Sequence, residues 1–257
     1  MQRIFHTPEG VRDIYNDECS QKRSLQEKLH CVFRRYGYED IETPGFEYFE
    51  VFSREVGTIP SKDLYKFFDR EGNTLVLRPD FTPSVARACA TYFSPEKEVV
   101  SLRYTGNTFI NNSSYQGRLK ESTQMGVERM GDDSAEADAE LLAMTVECLL
   151  ASGLTDFQVS VGQVDYFRSL LEQARMSPED EEQLRSLVSM KNYFGVEELV
   201  ERLGIDQKDG NALAQLQRMF GSSDVLEKAK ALPQEPKALQ AVARLETIYT
   251  ILKIHGY

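Results

Sequence analysis

Two stretches of sequence decide the fold of this chain: VVSLRYTGNTF at residues 99–109 and KESTQMGVERM at residues 120–130. The segment between them, residues 110–119, is rich in glycine, asparagine and serine, which are residues that favour turns. Two strand-like stretches joined by such a segment predict a pair of adjacent β-strands. We therefore expect a sheet that is built around this hairpin.

The second stretch has a polar face with the spacing of a binding site. Because side chains alternate along a strand, Ser122, Gln124, Gly126, Glu128 and Met130 lie on one side of it. Gln124 and Glu128 are about 13 Å apart along an extended backbone, and Gly126 leaves a gap between them that would admit an amino-acid-sized ligand. The solvent-exposed face of an edge strand has the same pattern, and the spacing alone favours that simpler interpretation.

The rest of the chain divides into a mixed part and a helical part. Hydrophobic periodicity and turn residues predict helices over 14–36, 83–92 and 138–152, and strands over 38–43, 74–78 and 157–161. Beyond Gly162 the same signals predict helices alone, over 179–191, 195–203, 208–219 and 237–254. Ser177 before Pro178 is a strong helix start, with a capping serine and a proline at the first helical position. The predicted fold class is α+β, with domains over residues 1–162 and 163–257.

Charge and composition exclude several classes of function. The formal net charge is -11, from 30 basic and 41 acidic residues, whereas a protein that binds nucleic acid needs a positive surface. No apolar run approaches the roughly 18 residues of a membrane span, and the N-terminus has no recognisable signal peptide. The four cysteines are far apart and form no CxxC pair, so we expect a cytoplasmic protein without zinc or disulfides.

Common catalytic signatures are absent from the sequence. It contains no GxGxxG, GxxxxGK[ST], GxSxG or HExxH motif, and its three histidines stand at unrelated positions. We therefore expect no cofactor and no metal site.

Several motifs resemble those of class II aminoacyl-tRNA synthetases, and of histidyl-tRNA synthetase in particular. They are TPEGVRD at residues 7–13, LRPDFT at 77–82, GR at 117–118 and QMGVE at 124–128. The resemblance implies an antiparallel sheet that is flanked by helices and carries the active site.

The same resemblance implies a role for five residues. Asp80 and Thr82 would hold the amino group of an amino acid, Gln124 and Glu128 would contact the rest of it, and Arg118 matches an arginine of the loop that joins the two strands. A carboxylate beside a hydroxyl suits an ammonium group, because charge-assisted hydrogen bonds are about twice as strong as neutral ones. For Asp80 an N-cap of the following helix is the alternative interpretation.

Two positions depart from the synthetase pattern. In the synthetases that this chain resembles, an arginine that grips the α-phosphate of ATP follows the first strand, and an acid in the loop helps to hold the adenine side. Here these positions are Ile110 and Asn112. Because isoleucine cannot bind a phosphate, we expect that the amino-acid contacts remain and that adenylate-forming chemistry is lost.

That combination resembles the family of regulatory subunits of ATP phosphoribosyltransferase, which are paralogues of histidyl-tRNA synthetase. Further motifs of the resemblance are DAE at residues 138–140, FQVSVGQV at 157–164, MKN at 190–192 and GVEEL at 195–199. It implies a non-catalytic subunit of histidine biosynthesis that forms a self-dimer, joins a short-form catalytic subunit in a hetero-octamer and responds to histidine as the feedback inhibitor. A divergent or fragmentary histidyl-tRNA synthetase and a purely structural dimerisation module are the alternatives.

The resemblance also implies a strand-rich segment after residues 254–257, with YYTG-like and GGRYDxL-like motifs that complete the sheet and close the amino-acid site. Nothing in the 257 residues matches these motifs. The chain is thus expected to be either truncated or a short member, with an amino-acid site that is not closed by its own residues.

Overall fold

The computed structural model describes residues 6–53, 59–112, 117–216, 218–232 and 235–257. The chain forms two compact units. The first unit comprises Met1–Asp133 and Met144–Asp156, and the second comprises Ser134–Ala143 and Phe157–Tyr257. The longer part of the second unit therefore begins at residue 157, and residues 134–143, which lie earlier in the chain, also belong to it.

In its described residues, the first unit contains six strands and four helices. Its elements, in chain order, are α1 (Asn16–Arg35), β1 (Glu39–Asp40), β2 (Phe46–Tyr48), α2 (Phe49–Ser53), β3 (Lys66–Phe68), β4 (Thr74–Leu77), α3 (Thr82–Tyr92), β5 (Val100–Phe109), β6 (Glu121–Met130) and α4 (Ala135–Ser152), whose first residues belong to the second unit. They confirm the predicted helices that begin near residues 14, 83 and 138. The short elements β2, α2 and β3 were not predicted.

The strands form two small sheets. One has the order β1-β5-β6, in which β1 is parallel to β5 and β5 is antiparallel to β6. The other has the order β2-β4-β3 and is antiparallel throughout. The predicted hairpin is therefore confirmed, and the sheet that contains it is mixed because of the short parallel strand β1.

The register of the hairpin determines which side chains share a face. Leu102 lies opposite Glu128, and Tyr104 lies opposite Gly126. Val100, Leu102 and Tyr104 on this face pack against a buried cluster on α3: Phe81, which immediately precedes the helix, Val85 and Cys89. Helix α3 thus covers the same face of the hairpin that carries Glu128.

An ion pair joins the second sheet to α3. Glu47 on β2 is only 8% exposed, and its Oε1 accepts hydrogen bonds from Nε and Nη2 of Arg87 at 3.0 and 2.7 Å. A charged side chain at this level of burial requires a partner of opposite charge. The pair therefore fixes both the sheet and the helix against which the candidate site is built.

The second unit is helical. Besides the start of α4 it contains α5 (Val164–Ala174), α6 (Pro178–Ser189), α7 (Tyr193–Arg202), α8 (Gln207–Leu216), α9 (Asp224–Ala231) and α10 (Pro236–Ile254). Its core includes Leu171, Leu184, Val196, Leu213 and Val242, which are each at most 1% exposed. Four of these helices match the predicted ones, whereas α5 and α9 were not predicted.

The strand predicted over residues 157–161 is wrong. The alternation is present, since Phe157 and Val159 are half-buried while Gln158 and Ser160 are exposed, but residues 157–163 belong to no sheet. A strand needs a neighbour for its backbone hydrogen bonds, and no strand of the described ranges pairs with this segment. The helix α5 follows directly, with the Gln163 side chain accepting the amide of Asp165 at its start.

Over the described ranges, no helix has the combination of length and low polarity that a bilayer crossing requires. The same ranges contain no group of three or more histidine, cysteine, aspartate or glutamate residues arranged to hold a metal ion.

Candidate functional site

The hairpin and the start of α3 bring three polar side chains together. Thr82, the first residue of α3, donates a hydrogen bond from Oγ1 to Oε1 of Glu128 on β6 at 2.6 Å. The phenol of Tyr104 on β5 donates to the same Oε1 at 3.5 Å, which is at the long end of hydrogen bonding. Thr82 and Glu128, which are 46 positions apart in sequence, thus meet through a single carboxylate oxygen.

Asp80 contributes a second carboxylate to this cluster. Its Oδ1 accepts the amide of Phe81 at 2.7 Å, and its charge is close enough to disfavour ionisation of both Glu128 and Tyr104. The N-cap interpretation of Asp80 is wrong: α3 has Phe81 at its N-cap position, and no side-chain hydrogen bond caps the helix. Because Pro83 follows at the first turn, one amide that a cap would satisfy is missing.

The electrostatics of the cluster favour a bound cation. Burial raises the pKa of Glu128, the hydrogen bond from Thr82 opposes that rise, and the charge of Asp80 adds to it. Burial, together with the charges of Glu128 and Asp80, raises the pKa of Tyr104 to about 12, so its phenol is a hydrogen-bond donor at neutral pH. In the described ranges no lysine or arginine forms an ion pair with either carboxylate. A ligand with cationic N–H groups would supply the missing positive charge.

Tyr104 occupies the gap that the sequence assigned to a ligand. A Cβ at Gly126 would lie 2.4 Å from the Tyr104 hydroxyl oxygen. The expectation of an empty gap between Gln124 and Glu128 is therefore wrong, because the tyrosine on the opposite strand fills it. Gly126 is needed for the approach of this side chain, and the pairing of Tyr104 with Gly126 across the hairpin was the signal that could have revealed it.

The ring of Tyr104 stacks on Phe81, which in turn stacks on Arg78. The Tyr104 ring lies parallel to that of Phe81, with centroids 4.3 Å apart and an interplanar angle of 8°. The guanidinium of Arg78 lies 3.9 Å from the centroid of the Phe81 ring. Gly106 leaves the space for this stack, since a Cβ there would approach both Arg78 and Phe81 to less than 3 Å. The stack orients the phenol because each ring is confined by its neighbour.

Arg78 holds the stack to the backbone around it. Its Nε donates to the carbonyl of Asn107 at 2.8 Å, and its Nη1 donates to the carbonyl of Thr43 at 2.9 Å. Burial lowers the pKa of this guanidinium from its usual value, but arginine stays charged at physiological pH. The arginine of the LRPDFT motif is thus a structural support of the site, a role that its position beside Asp80 did not reveal.

Gln124 lies one step further along the same face. It is opposite Gly106 in the register, and its Oε1 is buried without a hydrogen-bond partner among the described residues. A buried amide oxygen without a donor costs free energy, so native structures rarely leave one unsatisfied. This oxygen is available to accept an N–H group of a ligand.

Arg118 lies apart from the cluster. It is exposed, and no hydrogen bond or ion pair in the described part of the chain links it to Asp80, Thr82, Gln124 or Glu128. It precedes β6 by three positions, on the loop that leads into the strand. The structure thus brings Asp80, Thr82 and Glu128 together, places Gln124 on the same face of the hairpin as Glu128, and leaves Arg118 outside this group.

Ile110 and Asn112, the two positions that depart from the synthetase pattern, directly follow β5. The Ile110 amide donates to the carbonyl of Lys120 at 2.9 Å and so continues the hairpin by one pair. Asn112 is half-buried, and its Oδ1 has no partner among the described residues. The residues that follow in the loop, 113–116, lie outside the described residues. At the end of β5 the chain thus offers an apolar side chain at residue 110 and an amide side chain at residue 112.

Comparison with known proteins identifies relatives over nearly the whole chain. A family model described as histidyl-tRNA synthetase matches residues 10–256. An ATP phosphoribosyltransferase regulatory subunit from Acetivibrio thermocellus is 39% identical over 252 residues, which are 98% of this chain and 60% of the relative. The protein of the same name from Ruminiclostridium cellulolyticum is 40% identical over 252 residues, with the same coverage. The chain thus spans 60% of the length of these curated relatives.

Solved structures with the same architecture agree with this match. A structure from Bacillus halodurans, described as an ATP phosphoribosyltransferase regulatory subunit/histidyl-tRNA synthetase, has a TM-score of 0.89 and 32% identity, and the match covers 100% of this chain and 66% of that chain. A histidine–tRNA ligase subunit from Alicyclobacillus acidocaldarius has a TM-score of 0.79 at 22% identity, covering 100% of this chain and 78% of that chain. The predicted α+β fold of class II synthetase type is confirmed.

Proposed function

This chain belongs to the histidyl-tRNA synthetase family, and from that membership and the composition of the site we propose that it is a regulatory, non-catalytic subunit of ATP phosphoribosyltransferase. It would act in the cytoplasm, in the first step of histidine biosynthesis, where it supports the activity of the catalytic subunit and transmits feedback inhibition by histidine. The single observation that carries the proposal is the contrast between Ile110 and the cluster around Glu128. The contacts for an amino acid remain, while the contact for a nucleotide phosphate does not.

The cluster suits histidine in particular. The carboxylates of Asp80 and Glu128 attract the ammonium group and an imidazole N–H, and the unpaired Oε1 of Gln124 accepts a further N–H. Gln124 and Glu128 lie on the face of the hairpin that α3 covers, and Asp80 lies two residues before the start of α3. A ligand with several N–H donors and a net positive end is therefore favoured over a neutral or acidic one.

Adenylate formation is the activity that we infer to be lost. When the carboxylate of an amino acid attacks the α-phosphate of ATP and pyrophosphate leaves, charge develops on that phosphate, and an arginine stabilises it with its planar, permanently charged group. Ile110 offers only its backbone amide, which is already bound to the carbonyl of Lys120. The loss of one such donor typically reduces the rate by about 10²–10³-fold. Asn112 in place of an acid removes a second nucleotide contact.

The proposed partner is a short-form catalytic ATP phosphoribosyltransferase, and the proposed assembly is a hetero-octamer that contains dimers of this chain. Feedback inhibition requires that histidine bind more tightly to the inhibited assembly than to the active one. By the same linkage, the state of the catalytic subunit changes the affinity of this chain for histidine. No binding of tRNA is part of this function.

The proposal is tested by co-expression with a short-form catalytic subunit. We expect the two chains to co-purify, the catalytic subunit to be more active in the complex than alone, and histidine to inhibit the complex. The isolated chain should show no histidine-dependent exchange of pyrophosphate into ATP, and restoring only one contact by Ile110→Arg should not produce it. Robust exchange by the unmodified chain would instead identify a divergent histidyl-tRNA synthetase.

A calorimetric titration separates the regulatory role from a purely structural dimerisation module. Histidine should bind the assembled complex, and Glu128→Ala should weaken that binding strongly. If the variant binds histidine as the unmodified complex does, the ligand lies elsewhere in the assembly and the site assigned to this chain is wrong.

A further inference from the structure

We propose that Tyr104 and Thr82 are positioning residues that together hold one oxygen of Glu128, so that its other oxygen faces the ligand. This inference rests on the proposed function for the identity of the ligand, but not for the geometry. It also adds a role for Thr82: its hydroxyl proton is donated to the carboxylate, which leaves its oxygen as an acceptor for an N–H group of the ligand.

The hydrogen bonds define which oxygen is held. Both hydroxyl groups point to Oε1 of Glu128, with Thr82 Oγ1 at 2.6 Å and Tyr104 Oη at 3.5 Å. Among the described residues no hydrogen bond reaches Oε2. A carboxylate accepts bonds through both of its oxygens, so fixing Oε1 from two directions leaves Oε2 as the acceptor for an N–H group.

The donors approach from rigid elements on different sides. Thr82 stands at the start of α3, whereas Tyr104 is in the middle of β5, where Gly126 across the hairpin lets its phenol reach over β6. The stack on Phe81 confines the ring, so Tyr104 cannot follow a displaced carboxylate. Binding groups held in this way lose little side-chain entropy when the ligand arrives.

The phenol of Tyr104 is in the protonation state that this positioning role requires. Because the pKa of Tyr104 is raised to about 12, the phenol remains a donor over the whole physiological range. A donor that bonds to a carboxylate stabilises the ionised form and lowers its pKa. The two hydroxyl groups therefore oppose the effects of burial and of the Asp80 charge on the pKa of Glu128, and favour the ionised form, which accepts a ligand N–H.

The test is a titration of the free chain by carbon-13 NMR of glutamate carboxyl groups, with Glu128 assigned through Glu128→Gln. We expect Tyr104→Phe and Thr82→Val each to raise the pKa of Glu128, because each removes one donor to the ionised form. Thr82→Ser keeps a hydroxyl and should bring the pKa back toward the unmodified value. The matched control is Tyr36→Phe, which removes a phenol that bonds to another carboxylate, Glu147, at 2.8 Å.

Histidine affinity provides the second readout. Tyr104→Phe should weaken binding to the assembled complex by about tenfold, as expected for one hydrogen bond to a charged group, while Tyr36→Phe leaves it as in the unmodified complex. An unchanged pKa of Glu128 in Tyr104→Phe would overturn the proposal. If the unmodified complex does not bind histidine, the proposed function fails on the ligand, and the positioning role is still decided by the titration, which needs no ligand.

Discussion

Glu128 is a carboxylate that the fold partly removes from water, and its protonation therefore affects the stability of the chain. Its pKa in the folded state is raised above the ordinary value of 4.5, first of all by burial. The folded state consequently binds this proton more tightly than the unfolded state does. The stabilising effect is complete below the unfolded pKa and is lost as the pH rises through the folded pKa.

We therefore predict a pH-dependent effect of Glu128→Gln on stability. Glutamine is neutral at every pH and keeps an oxygen that can accept the hydrogen bond from Thr82. Between about pH 4 and pH 7 the free energy of unfolding of the unmodified chain should fall relative to that of the variant. Urea unfolding at both pH values measures the difference. Two parallel pH profiles would show that the carboxylate is not held in the environment described.

The same substitution should abolish histidine binding, because glutamine lacks the charge that attracts the ligand. A gain in stability that accompanies a loss of binding is the expected behaviour of a site that holds an unfavourable charge for its function.

The position of Tyr104 shows why the residues of the site were predicted only in part. The face that carries Glu128 followed from alternation along β6, but the side chain that fills the space at Gly126 comes from β5 and required the register of the pair.

Among the helices, local sequence signals predicted the start correctly where a common capping residue accepts a backbone amide of the first turn. Ser177 and Pro178 predicted the start of α6, and the Ser177 hydroxyl does accept the amide of Asp180 at 3.2 Å. The helix α5 was missed because the capping residue is Gln163, which is not a common N-cap, and because the preceding alternation indicated a strand. Alternation alone does not supply the neighbouring strand that a sheet needs.

Ser177 allows a matched test of capping in the helical unit. Ser177→Ala should lower the free energy of unfolding by about 1 kcal/mol, since the amide of Asp180 loses its acceptor. Ser223 stands at the N-cap position of α9 but makes no capping hydrogen bond, so Ser223→Ala should have little effect. Urea unfolding followed by circular dichroism compares the two variants. Equal destabilisation would show that the loss reflects serine content at helix starts and not the hydrogen bond.

For the molecule as a whole, the fold class and the hairpin were predicted more reliably than the details of the site. The hairpin depends on residues that are close in sequence. The stack of Arg78, Phe81 and Tyr104, by contrast, joins the loop before α3 to the middle of β5, and such contacts have no local signature. The same is true of β2 and β3, short strands whose pairing with β4 decides their existence.

The charge of the molecule predicts that the chain does not bind tRNA. The formal net charge is -11, and Arg34 and Arg35, the adjacent arginines of helix α1, are each paired with a carboxylate, Glu27 and Glu147. Binding of a polyanion draws its free energy largely from the release of counterions by unpaired basic residues. An acidic chain of this kind gains little from that release and repels the phosphate backbone at long range.

Filter binding should therefore show no retention of tRNA by micromolar chain at about 150 mM salt, and only a small gain at about 50 mM, where a protein that neutralises several phosphates gains about 10³-fold or more. A complete histidyl-tRNA synthetase assayed in parallel serves as the positive control. Retention of histidine tRNA in preference to other tRNAs would contradict the prediction. It would also favour the synthetase alternative, because selective binding against an unfavourable net charge requires a dedicated surface for that tRNA.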